Sequence, residues 1–152
     1  MIQRIQSVFL FASLCLLVSM FFVPVAKPVT ETGEMITFNL AGFDPAEAGA
    51  TAGIGIRYSV MILGILVCAL NLISIFMYRK RIQQMWLCLF NIFLLVGMSV
   101  VMLLVLRGVH DIRTFSPGLP AVFPVVSIIL HYLAFRNIRK DELMVQSLNR
   151  LR

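Results

Sequence analysis

Acidic side chains are scarce in this chain: Asp and Glu make up 7 of its 152 residues, against 13 Lys and Arg. None of the 7 falls inside a long apolar run, so a proton or cation path built on intramembrane carboxylates has no obvious residues to use. Cysteine is sparser still. Cys15, Cys68 and Cys88 are odd in number, all lie within apolar runs, and make no CxxC or Cys/His spacing. They read as small buried apolar residues and not as a disulfide or metal framework. No nucleophile–base arrangement, metal-ligand spacing, internal repeat or low-complexity tract is visible, so we expect no cofactor and no enzymatic activity.

Apolar residues are abundant, at 60% of the chain, and gather in four runs at about 5–23, 58–78, 85–106 and 119–135. A bilayer core roughly 30 Å thick needs about 20 such residues in a helix. Lipid leaves backbone groups no water to bond, so each run is helical. The fourth run is short and holds Pro120 and Pro124, but a start at Ala121 puts Pro124 where a helix N–H has no intrahelical partner. A soluble four-helix bundle would keep a polar face on each helix, whereas VMILGILVCALNLISIFMY is apolar all round. The expected fold is an all-α membrane protein, four transmembrane helices in an up-down bundle forming one domain over 1–152.

Basic residues set the expected orientation. Arg4, Arg79, Lys80, Arg81, Arg136, Arg139, Lys140, Arg150 and Arg152 lie on one side of the runs, and Lys27, Arg57, Arg107 and Arg113 on the other. The richer side is expected in the cytoplasm. That puts both termini, a loop at 79–84 and a tail at 136–152 inside, with outer loops at 25–57 and 107–118. Tyr58 on one side, with Tyr78, Trp86 and Tyr132 toward the other, suits aromatic belts. The formal charge of +6 is therefore a membrane-surface signal, and no basic, aromatic-interleaved soluble segment points to nucleic acid. The N-terminal run imitates a secretory signal, but it is longer than an h-region and Pro24 stands where a cleavage site wants a small residue. Cys15 follows the bulky Leu14, unlike a lipid-attachment site.

In the first outer loop, VTETGEMITFNL reads as two β-prone stretches that predict a small hairpin. Asp44-Pro45-Ala46-Glu47 is a helix-start signal, and Gly49, Gly53 and Gly55 predict that the short helix is hinged from the second span. The tail from Arg136 to Arg152 alternates charge with Ile138, Met144, Val145, Leu148 and Leu151, the pattern of an amphipathic helix that continues the fourth span or folds onto the inner leaflet.

Polar residues in the spans invite the sharpest functional readings. Asn71 and Asn91 sit on the antiparallel second and third helices, and His131 lies on the fourth. They could line a path for solute or ions. Interhelical hydrogen bonding, typically worth about 0.6 kcal/mol and at most about 2, is the reading adopted here, with His131 packed or snorkelling. Met98 and Met102 could hold a soft metal, but Met is common core filler. Arg107, His110, Asp111 and Arg113 form the densest outer polar cluster. Ser116 beside it precedes a Pro-Gly turn and has no activating context, so a solvated loop is expected. Arg139, Lys140, Asp141 and Glu142 form the candidate interaction surface of the tail, with Arg139 and Glu142 spaced to pair at i,i+3.

The opening MIQRIQSVFLF, the four spans and the closing FRNIRKDELMVQSLNRLR resemble an uncharacterised bacterial family of four-helix integral membrane proteins, classed as a domain of unknown function. The tail likeness rests on Ile138, Arg139, Lys140, Asp141, Glu142, Val145, Ser147 and Arg150-Leu151-Arg152. Asn149 departs from it, standing where an acidic residue is usual. The resemblance implies a multi-pass location in a bacterial inner membrane and carries no activity. The expected function is non-enzymatic assembly, with the lipid bilayer and either a second copy or another membrane protein as partners. The alternative is a small-solute or ion transporter, or an accessory subunit of one.

Overall fold

The computed structural model describes residues 3–27, 29–30, 37–40, 42–43, 54–77, 80–108, 112–114 and 118–150. Four helices dominate: α1 Gln3–Phe22, α2 Ile54–Phe76, α3 Arg81–Gly108 and α4 Phe123–Arg150. Each contains a stretch long and apolar enough to cross a membrane, over Ile5–Phe22, Tyr58–Phe76, Ile82–Leu104 and, with the preceding turn, Leu119–Met144. Helices adjacent in sequence pack together and α1 closes on α4. Contacts pairing Gln6 with Asp141 and Ser13 with His131 make α1 and α4 antiparallel, as expected for an up-down bundle.

Each helix buries one stripe at alternating spacings of four and three. The stripes are Gln6, Leu10, Ser13, Leu17 and Met20 on α1; Val60, Gly64, Val67, Asn71 and Ser74 on α2; Gln84, Cys88, Asn91, Leu95 and Met98 on α3; and Pro124, Ser127, His131, Ala134, Ile138 and Asp141 on α4. This 3.5-residue repeat is the geometry of left-handed helix packing. Its composition follows from the solvent. Lipid tails are as apolar as Leu, so large aliphatics face outward without penalty, and small and polar residues share the inside with Leu, Met and Ile.

Phe123 opens α4 with Pro124 as its second residue, where a missing N–H costs little. A 3-10 turn over Leu119–Val122 leads into it. The tail does not form a separate segment, because α4 runs without a break to Arg150 and its 28 residues reach about 42 Å. The short loop is likewise tighter than expected, residues 81–84 being the first turn of α3.

The long connections meet at one end of the bundle. β1 (Val29–Thr30) pairs antiparallel with β4 (Ile112–Thr114) of the other long loop, so it is not the partner of the stretch that follows it. The hairpin falls later, between β2 (Phe38–Asn39) and β3 (Gly42–Phe43). Phe38 also bridges Ala26, and the Leu40 N–H donates to Met20 O at 3.1 Å. Leu40 is buried beside Gly64, where a Cβ would come within 2.8 Å of the Leu40 Cδ2 atom. Gly64 thus gives up helix propensity, about 1 kcal/mol relative to Ala, to seat the loop. The helix-start signal at residues 44–47, with Gly49 and Gly53, lies outside the described residues; Gly55 falls within α2.

Candidate functional site: a central polar layer

Two apolar cores fill the bundle. Leu10, Cys88, Ala134 and Ile138 build the one nearer the termini, and Leu17, Met20, Val67, Leu95, Met98 and Met102 belong to the one nearer the long loops. Between them the buried stripes place a polar residue from every helix at one level. Ser13, Asn71 and His131 are 0% exposed, and Asn91 is 1% exposed.

His131 is the hub. Its Nδ1 lies 2.9 Å from the carbonyl oxygen of Ser127 one turn earlier, and a carbonyl can only accept, so the Nδ1 atom carries the proton. Its Nε2 then accepts from Asn91 Nδ2 at 2.8 Å. Ser13 Oγ stands 3.2 Å from Nδ1 and accepts from Asn71 Nδ2 at 3.4 Å. Three buried atoms have no partner among the described residues: Asn71 Oδ1, Asn91 Oδ1 and Ser127 Oγ.

This arrangement joins the residues that the sequence singled out, Asn71, Asn91 and His131, and adds Ser13 and Ser127, which sequence reasoning passed over. A Ser beside a His suggests nucleophile activation, but a base must accept the hydroxyl proton, and the nitrogen facing Ser13 already carries one. The layer's side chains are neutral amides, hydroxyls and one imidazole. It is suited to holding four helices in register.

A second polar contact lies one end nearer the termini. Gln6 Nε2 donates to Asp141 Oδ2 at 2.8 Å, and both residues are buried. This corrects two expectations. The fourth apolar span extends past Phe135 to Met144, so an acidic residue does lie within a span, and Asp141 turns into the bundle. The four tail residues therefore do not share one surface: Arg139 and Lys140 are exposed, Glu142 is half-buried and Asp141 faces α1. Nearby, Ser74 Oγ and Cys88 Sγ are 3.6 Å apart. All three cysteines are free, Cys15 exposed and Cys68 partly buried.

Among the described residues no group of three or more His, Cys, Asp or Glu is placed to hold a metal ion. Met98 and Met102 pack in the loop-side core. Of the outer cluster, His110, Asp111 and Ser116 lie outside the described residues, Arg107 is in α3 and Arg113 in β4.

The family described as domain of unknown function DUF4293 matches residues 2–151. The chain belongs to this family. No curated protein matches it. The four apolar helices mark a membrane protein, and the family, of unknown function, assigns it no biochemical activity.

Proposed function

We propose that this member of the family is a non-enzymatic multi-pass membrane protein that works by assembly, with a second copy of itself or with another membrane protein. The observation that carries the reading is the central layer. A transport path would set Asn71, Asn91 and His131 around a water-sized opening, whereas here they are buried and hydrogen-bonded to one another or to Ser13. Both termini are assigned to the cytoplasm, on the strength of nine Lys and Arg flanking that end against four at the other. The resemblance to a bacterial family supports the cytoplasmic membrane as the location.

Two measurements test this reading. Purified protein in liposomes is expected to give background ion and solute flux. A reproducible flux abolished by Asn91→Leu or His131→Phe would promote the transporter reading. Crosslinking in native membranes is expected to trap a dimer or a defined membrane partner, and an exclusively monomeric chain would overturn assembly.

A further inference from the structure

The outward face of α4 changes character along its length. Val125, Ile129 and Tyr132 are exposed on it, then Arg136, Arg139 and Lys140, then Leu143. Steps of three and four residues keep these side chains on one side of the helix, opposite the buried stripe. A shallow groove of about 370 Å³ runs along this face, lined by Leu133, Arg136, Asn137, Arg139, Lys140 and Leu143. All six lining residues belong to α4, so the groove is an open strip between side chains of a single helix.

The depth of the groove is fixed by a separate observation. Asp141 is bonded to Gln6, and Gln6 is the second residue of the apolar stretch Ile5–Phe22. Arg139 and Lys140 thus stand at the edge of the hydrocarbon, and Arg136 about one turn further in, just past the exposed ring of Tyr132. Long basic side chains at this depth reach outward to the headgroups while their stems stay in the acyl region. The same Gln6 bond also turns the Asp141 carboxylate away from the groove, and Glu142, one turn after Arg139, is not among the lining residues.

We propose that this groove is a binding site for one anionic phospholipid. Its phosphodiester is held by Arg136, Arg139 and Lys140, and its acyl chains lie along Val125, Ile129 and Leu133. The two guanidiniums offer paired donors to the phosphate oxygens, and Lys140 adds a mobile ammonium. This site requires that the chain span a bilayer; it does not depend on what the bundle assembles with.

The test is reconstitution in phosphatidylcholine bilayers with spin-labelled phosphatidylglycerol or spin-labelled phosphatidylcholine as probe. The motionally restricted fraction of each probe gives the relative association. The wild-type chain is expected to prefer phosphatidylglycerol several-fold, since each surface cation contributes up to about fivefold. The preference should fall toward one in the variant carrying Arg136→Gln, Arg139→Gln and Lys140→Gln. Lys27→Gln, at the opposite end, should leave it unchanged. An equal preference in wild type and triple variant would overturn the proposal, as would a wild-type ratio of one. Loss of the preference on adding soluble glycerophosphate would reassign the groove to a free anion, and a crosslink from Lys140 to a second copy in place of lipid selection would make it a protein interface. Should the triple variant fail to fold, the wild-type ratio and Arg136→Gln alone carry the same decision.

Discussion

Asn91 is the only donor to His131 Nε2 among the described residues, whereas Asn71 donates to a Ser13 hydroxyl that a ring nitrogen of His131 also contacts. Replacing Asn91 with Leu leaves a buried ring nitrogen unpaired, while Asn71→Leu leaves Ser13 still engaged. Each change also removes a carbonyl oxygen that has no described partner. Asn91→Leu is therefore expected to destabilise the bundle more, by about 1–2 kcal/mol, with Asn71→Leu below about 0.6 kcal/mol. Thermal unfolding in detergent measures the order, and an Asn71→Leu variant less stable than Asn91→Leu would contradict the bonding scheme. Ser127 gives the opposite sign. Its buried hydroxyl lacks a described partner, so Ser127→Ala should be neutral or stabilise by up to about 1 kcal/mol. A clear loss of stability in that variant would show that Ser127 Oγ is bonded after all.

At the scale of elements, the spans could be read from run length, but their inward faces could not be read from hydropathy. Apolar residues cover every side of these helices, so the usual contrast between a wet face and a dry one is missing. The signal lay in the polar residues, which recur at seven: Gln6 and Ser13 on α1, Gln84 and Asn91 on α3. On α4 the spacing of Ser127, His131 and Asp141 follows the same stripe through Ala134 and Ile138. Reading the fourth run as ending at Phe135 hid this continuity, since Arg136, Arg139 and Lys140 interrupt hydropathy on the outward side only. The pairing of β1 with β4 was illegible for another reason: it joins residues more than 80 positions apart, and a two-residue strand carries no pattern that names its partner.

Two glycines tie these elements together, and their substitutions should differ in kind. A Cβ on Gly118 would sit 2.9 Å from Pro24 O and 3.0 Å from Val25 O, both backbone atoms, while the Gly118 N–H donates to Val25 O at 2.9 Å. Nothing flexible can yield, so Gly118→Ala should break that bond and speed amide exchange where the loop ends meet. The nearest atoms to a Cβ on Gly64 belong to side chains, those of Leu40 and, at 3.3 Å, Phe21 Cζ. Gly64→Ala should shift the Leu40 side chain but keep its N–H bonded to Met20 O, whereas Gly64→Val should lift Leu40 and expose that N–H. Hydrogen exchange at Leu40 distinguishes the two, and equal protection in wild type and Gly64→Val would refute the seating.

For the whole molecule, the question is whether the central layer supplies stability or uniqueness. A buried polar position in a helical bundle often fixes register and oligomeric state at some cost in stability, and an apolar replacement of the entire network can be neutral or stabilising. The layer here separates two apolar cores whose stripes share one repeat, so sliding a helix by one repeat would still match apolar to apolar across most levels. The polar levels penalise the slip: the central one by stranding His131 or an Asn against Leu10, Leu17 or Leu95, and the terminal one, for α1 and α4, by parting Gln6 from Asp141. The variant carrying Ser13→Ala, Asn71→Val, Asn91→Val and His131→Leu is therefore expected to keep wild-type helicity and a melting temperature at or above that of the native chain. Its oligomeric state should broaden into a mixture. Circular dichroism reads the first property and light scattering on detergent-solubilised protein reads the second. If the variant melts well below the native chain, the layer contributes stability; if it stays as homogeneous as the native chain, the apolar cores and the Gln6–Asp141 contact set the register without the layer.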